Sequence, residues 1–257
     1  MRPNDDELRI VIFTACYFVL DGVTLTIRRL ASHLRANNVQ LKIVTTAPSD
    51  YKQNDEDVIF VPAIDMALAE PGSGYAFGSS LDEESIKKIE KFEPNCVHFT
   101  VPDFVAIDGI RWCQKNNVAY MATWHSNYAD YLKYYYIDWC FGPILRAYLH
   151  GFYEQIPVIY VPTPFMAKKM ETNGFGIHTK IGEWGRGIDL KLFDPARRSE
   201  HFRRSKGIQE NDVVLIWVGR LVAEKRPDIW LEVVERLAEE GYPVKGIVVG
   251  SGEYAER

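Results

Sequence analysis

Residues 8–46 read LRIVIFTACYFVLDGVTLTIRRLASHLRANNVQLKIVTT: β-branched and apolar residues at 8–15, an amphipathic stretch at 24–36, and a second β-branched run at 40–46. Strand, helix and strand in that order form a βαβ unit, whose two strands pair in parallel through the crossover helix. The alternation continues outward. Runs at 58–61, 96–101, 118–123 and 158–161 read as strands, and 81–92 and 104–115 as helices, while Thr163-Pro164 supplies an N-cap and first-turn pair for a short helix. Gly174 and Gly176 interrupt the pattern. A second series opens after the polar stretch 197–212, with strands at 213–218 and 244–249 around a helix at 228–240 that Gly241 closes. The predicted fold is α/β: a Rossmann-like domain over residues 1–177, then a linker and the start of a second such domain over residues 178–257. Two strands and one helix cannot cover both faces of a parallel sheet, so the second domain is expected to be partial within this sequence.

Composition narrows the function. With 47% hydrophobic and 25% charged residues the chain is of the globular class, and a formal charge of −5 argues against a nucleic-acid partner, which needs a local excess of Lys and Arg. The clearest basic run, Arg197, Arg198, Arg203, Arg204 and Lys206, reads as a solvated helix face, with contact to phosphate or anionic lipid as the alternative. Cys16, Cys96, Cys113 and Cys140 are widely spaced without a C-x-x-C pair, so they read as reduced core thiols rather than a disulfide frame or a zinc site. Residues 1–9 lack the basic region and long apolar core of a signal peptide, and no run reaches the length of a membrane span. A cytoplasmic protein, free or peripheral to a membrane, is expected.

In open α/β sheets, ligands bind beyond the carboxyl ends of the strands. After the first strand comes Tyr17-Phe18-Val19-Leu20-Asp21-Gly22, where Gly22 either lets backbone N–H groups approach a phosphate or makes a plain turn. No G-x-G-x-x-G is present, which lowers the case for a dinucleotide oxidoreductase. The run Trp217-Val218-Gly219-Arg220-Leu221-Val222-Ala223-Glu224-Lys225-Arg226-Pro227-Asp228 says more. It sets Arg220 at a strand end, Lys225 in the loop and Pro227 in the first turn of a helix. Two cations and a helix N-terminus suit a diphosphate whose charge grows as its bond to a sugar breaks. A surface salt-bridge cluster would give the same composition.

G-R-L-x-x-E-K-x-x-D after a buried strand resembles the donor-diphosphate motif of family 4 glycosyltransferases, which have the GT-B fold. Glu183-Trp184-Gly185-Arg186-Gly187-Ile188-Asp189, followed by Phe193 and Pro195, resembles the crossover segment of the branch that holds sulfoquinovosyltransferases and GDP-mannose-dependent mannosyltransferases. The resemblance implies a retaining hexosyl transfer from a nucleotide-diphosphate sugar to a hydroxyl acceptor, a lipid or a glycan, with no metal. Arg220 and Lys225 would hold the leaving diphosphate, Gly22 and Arg186 would serve the donor, and Asp21-Gly22 stands where the family usually has a glycine pair. His125, in Thr123-Trp124-His125-Ser126, matches the family's histidine on the acceptor side; its implied role is to position substrate and stabilise positive charge developing on the sugar.

Tyr128, Tyr131, Leu132, Tyr135 and Trp139 share one face at helical spacing, either as a core-facing helix or as an acceptor-side or membrane-interface patch that includes Tyr128 and Tyr131. The family's E-x7-E pair has a bare match at Glu232 and Glu240, but both lie in the first helix after the Arg220 loop, too early in the domain and about 80° apart around the helix. The true pair is expected outside these residues, which would leave the chain inactive by itself. Rival readings are a non-catalytic diphosphate-binding fragment and a sugar epimerase of the same fold; the latter needs a pair of cleft carboxylates that the sequence does not show.

Overall fold

A computed structural model of the chain describes residues 7–15, 17–19, 21–47, 55–65, 76–128, 132–133, 136–175 and 178–255. Contacts divide the chain into two units, Met1–Asn127 with Cys140–Arg186, and Tyr128–Trp139 with Gly187–Arg257.

In the first unit the strands are β1 (Arg9–Phe13), β2 (Gln40–Thr46), β3 (Val58–Val61), β4 (Ala63–Asp65), β5 (Ala76–Gly78), β6 (Cys96–Phe99), β7 (Ala119–Thr123), β8 (Val158–Val161) and β9 (Lys180–Glu183). Seven of them form one sheet in the order β3-β2-β1-β6-β7-β8-β9, and every pairing within it is parallel. β4 and β5 make a separate antiparallel pair. The direction of winding reverses between β1 and β6, the kind of switch point at which α/β sheets open their loops.

The helices are α1 (Gly22–Ala36), α2 (Glu83–Phe92), α3 (Phe104–Asn116), α4 (Asp138–Tyr153) and α5 (Pro164–Thr172). Helix α1 starts where the Asp21 carboxylate accepts the N–H of Thr24 at 2.7 Å. One turn in, Ile27 and Ala31 are buried against Ile10, Ile12, Leu41 and Ile43 of the sheet. A buried isoleucine of this kind stabilises the fold by roughly 1.5–3 kcal/mol. Helix α3 lies close to the sheet because Gly109 has no side chain: a Cβ there would sit 2.8 Å from Phe99 and 3.0 Å from Phe13. Asp103 caps α3 through Ala106 at 2.8 Å and takes the N–H of Gly78 at 3.1 Å, and burial pushes its carboxyl up to about 6. Thr163 caps α5 in the same way, with Pro164 in the first turn.

Strand β9 falls among residues that the sequence pattern places in the linker. Its four residues, Lys-Ile-Gly-Glu, carry one large apolar side chain, so no period shows. Pairing with β8 sets its register, and Gly182 leaves room for the ring of Tyr160, which a Cβ would meet at 3.0 Å.

The second unit contains the short helix α6 (Glu200–Ser205), β10 (Val213–Val218), α7 (Pro227–Glu239) and β11 (Val244–Val249), with β10 and β11 parallel. Helix α7 covers one face of this small sheet: Trp230 lies 6.5 Å from Trp217 between ring centroids, and Gly246 makes way for its indole. On the opposite face Ile216, Val218 and Val249 are 58%, 71% and 50% exposed. Within the basic run, Arg203 is not solvated. It is buried and donates to the carbonyls of Gln209 at 2.9 Å and Asp212 at 2.8 Å, tying α6 to the turn before β10.

The expected single face from Tyr128 to Trp139 does not form. Tyr136 adopts a left-handed conformation with φ +57°, and α4 begins afresh at Asp138, so the helical count runs across a break. Leu132 is buried while Trp139 is 83% exposed; Tyr131 and Tyr135 lie outside the described residues. Among the cysteines, Cys113 is buried, with its thiol pushed up to about 12, and Cys96 is half-buried; Cys16 also lies outside the described residues. No helix among the described residues is long and apolar enough to cross a membrane.

Candidate active site

In the first unit the chemistry-bearing side chains gather where the parallel strands end. His125 follows β7 by two residues and Arg186 follows β9 by three. Backbone bonds continue the sheet register into both segments: Trp124 N–H donates to Tyr160 O at 2.8 Å, and Trp184 N–H to Val161 O at 2.8 Å. The Trp124 indole then packs on Tyr153 at 4.6 Å and on Phe175 at 5.6 Å, which anchors the backbone next to His125. The sheet thereby brings two residues 61 apart in sequence into contact: Nη2 of Arg186 lies 3.0 Å from Nδ1 of His125 and donates to the His125 carbonyl at 3.1 Å. The ring of Trp184 stands edge-on to both His125 and His98, 6.2 Å from each.

Both histidines are held neutral. Burial, then the Arg186 guanidinium and His98, hold His125 down at about 3. Burial alone holds His98 at about 4, where its Nε2 meets the Thr123 hydroxyl at 2.7 Å. A histidine whose folded-state pKa lies below its unfolded value of about 6.5 is protonated more readily in the unfolded chain, so its contribution is present above that value and lost as pH falls. Going from pH 7 to 4, His98 alone should cost about 3 kcal/mol of stability. Urea unfolding of the parent and of His98→Gln at both pH values checks this, and an equal acid loss in the two proteins would refute it.

Gly22 opens α1, and a Cβ there would meet nothing within 4 Å, so the space beside its Cα is open at this helix N-terminus. The preceding loop is held in place: Tyr17 N–H donates to the Thr45 hydroxyl at 3.2 Å, while Arg28 donates to Tyr17 O at 2.9 Å and lies over its ring. A cavity of about 10 Å³ lined by Thr14, Thr45, Thr46 and Asp103 lies nearby. It has room for about one water and not for a substrate.

In the second unit Arg220 leaves the end of β10 and pairs with Glu224 at 2.8 Å. The Glu224 side chain is 5% exposed, and its second oxygen is buried without a partner among the described residues. Lys225 ends a one-turn helix, Ala223–Lys225, and is exposed. At the start of α7, Asp228 pairs with Arg226 at 2.8 Å, so a carboxylate already meets the positive end of that helix. Glu232 is exposed on α7 and Glu240 is paired with Arg236 at 3.2 Å, solvated positions as the helix geometry predicts. Among the described residues no group of three His, Cys, Asp or Glu side chains is placed to hold a metal ion.

Glu224 is the acid of the G-R-L-x-x-E-K-x-x-D run, to which motif reading assigns no role, although it is the buried partner of Arg220. Two further residues of this region escape motif reading. Gly250 and Gly252 follow β11, and a Cβ on either would collide with backbone, the carbonyl of Gly219 for one and that of Leu221 for the other. The Arg220 loop is laced to this G-S-G turn by Leu221 N–H to Ser251 O at 2.8 Å and Tyr254 N–H to Leu221 O at 3.0 Å. The two glycines straight after a β-branched strand were the available signal.

With this geometry in hand, the profile of Glycosyltransferase Family 4 matches residues 20–192. The chain belongs to that family. Among its curated relatives is a sulfoquinovosyl transferase of Arabidopsis thaliana, 24% identical over 181 residues, which cover 69% of this chain and 34% of that protein. Another is an alpha-monoglucosyldiacylglycerol synthase of Streptococcus pneumoniae, 24% identical over 254 residues, covering 96% of this chain and 56% of that protein. The family member described here thus spans between about a third and a little over half the length of these two relatives. Of solved structures, Anabaena HepE in complex with UDP and glucose superposes with a TM-score of 0.60 at 15% identity, covering 97% of this chain and 63% of that one. The likeness confirms the α/β, GT-B-like fold class.

Proposed function

We propose that this protein transfers a hexosyl group from a nucleotide-diphosphate sugar to a hydroxyl acceptor with retention of anomeric configuration, and that it does so without a metal ion. The observation that carries this reading is Arg220 at the carboxyl end of β10, oriented by a buried glutamate, with Lys225 in the turn that follows. As the bond to the sugar breaks, negative charge gathers on the diphosphate, and preorganised cations stabilise that state more than the ground state. The same two cations supply the neutralisation that a divalent ion gives in other enzymes. His125, Arg186 and Gly22 belong to the same machinery on the first unit, with His125 serving the acceptor side.

A lipid acceptor fits the branch, since one relative is by name an alpha-monoglucosyldiacylglycerol synthase. The protein would then work from the cytoplasm, at a membrane surface. The uncovered face formed by Ile216, Val218 and Val249 supports the further reading that a working second domain has more structure over this sheet, including the carboxylates that grip the sugar. Residues 1–257 alone would then bind a nucleoside diphosphate weakly and not turn over.

Isothermal titration with UDP and GDP, run beside a transfer assay on the full-length protein with and without EDTA, tests the proposal. Binding with EDTA-resistant transfer supports it. Transfer lost in EDTA and restored by Mn²⁺ or Mg²⁺ would overturn the metal-free mechanism, and binding without transfer would favour a non-catalytic diphosphate-binding protein.

A further inference from the structure

We propose that Arg186 is a positioning residue that fixes the tautomer of His125, so that the imidazole meets substrate as a neutral Nε2–H donor. The inference rests on the transferase reading for its consequence, but its physical content lies wholly within the first unit.

A guanidinium has donors and no acceptor. Because Nη2 of Arg186 lies 3.0 Å from Nδ1 of His125, that ring nitrogen must offer its lone pair, and the ring proton goes to Nε2. The second bond of the same nitrogen, to the His125 carbonyl at 3.1 Å, prevents the pair from sliding apart and fixes the plane of the ring. The charged and titratable groups facing the imidazole are Arg186, from the segment after β9, and His98, from β6; the first is a fixed cation and the second is held neutral by burial. Neither is bonded to Nε2. That nitrogen is buried and has no partner among the described residues. An unsatisfied buried N–H costs about 1–3 kcal/mol, a cost that a substrate oxygen placed there would remove.

This arrangement changes the chemistry available to His125. A ring that presents N–H toward its ligand favours an oxygen lone pair, not a cationic centre. Stabilisation of positive charge on the sugar, the role the family resemblance implies, is therefore replaced by orientation of an oxygen of the bound substrate. Precise orientation of that kind is worth several kcal/mol in transfer reactions. Removing the group that sets a tautomer can be as damaging as removing the histidine.

Long-range proton–nitrogen correlation spectra of the uniformly ¹⁵N-labelled protein test the pair directly, with His125→Asn identifying the ring signals. In the parent protein His125 is expected as the Nε2–H form, unchanged from about pH 7 to about pH 5, a range in which an ordinary histidine titrates. Arg186→Met should lose the single tautomer, whereas Arg186→Lys, which keeps a cationic donor, should retain it. A parent ring in the Nδ1–H form, or an Arg186→Met ring with the parent's single tautomer, would overturn the proposal. Should Arg186→Met fail to fold, the parent and Arg186→Lys spectra still decide.

In the full-length enzyme, Arg186→Met should lower kcat by about tenfold or more while the donor KM moves by less than about threefold. Equal loss in the two parameters would mark a purely structural residue. The spectra need no donor or acceptor, so failure of the transferase reading would leave the tautomer result standing.

Discussion

Alanine at Lys225 or at Arg220 is expected to lower transfer by the full-length enzyme by about 30- to 10³-fold, which corresponds to about 2 to 4 kcal/mol of transition-state stabilisation. The two variants should differ in what else they do. Lys225 is exposed at the end of its one-turn helix, so Lys225→Ala should leave thermal stability unchanged while kcat/KM falls. Arg220→Ala strands Glu224, whose side chain is 5% exposed and whose second oxygen already lacks a partner among the described residues. Removing one member of such a pair leaves an uncompensated charge, so this variant should lose stability as well as rate. Lys225→Ala should therefore be a change in rate alone, and Arg220→Ala a change in rate and stability together. Steady-state kinetics paired with thermal denaturation separates the cases, and parent rates in both variants would remove these residues from the mechanism.

The second large effect concerns Gly250. Its φ is +153° and a Cβ would run into the carbonyl of Gly219, which lies on the loop that leads to Arg220. Gly250→Ala must push that backbone aside and adopt a conformation that side chains disfavour, at a cost of about 3 kcal/mol. The damage should stay local. Amides of β10 and β11 are expected to exchange faster, while those of β1, β2 and β6 keep the protection of the parent protein. Unchanged exchange in β10 and β11 would show that the turn tolerates a side chain.

The strands rich in β-branched and apolar residues were legible because such side chains fit the pleated surface of a sheet; β2, β3, β8, β10 and β11 fall at the residues the pattern names. Strand β9 was not, since its residues hold place by pairing and by the space Gly182 leaves, neither of which has a period. The break at Tyr136 was hidden for a related reason: a tyrosine in a left-handed turn carries no composition signal, and counting every third and fourth residue passes straight over it. Within the site, the strand-end positions of His125, Arg186 and Arg220 were readable from the order of elements. Their partners were not. That Arg186 meets a histidine 61 residues away, and that Glu224 is buried, follow from strand order and packing, which a motif does not encode.

The confinement of Arg186 and His125 to one unit bears on recombination between family members. Both lie at or before residue 186, so a chimera that grafts another member's sequence from residue 187 onward inherits the pair intact. The histidine should then keep its protonation state whatever second unit is attached. A junction drawn some ten residues earlier, at the Gly174 interruption that looks in sequence like the natural seam, would instead import a foreign β9 and make the histidine depend on whatever residue the new segment carries at position 186.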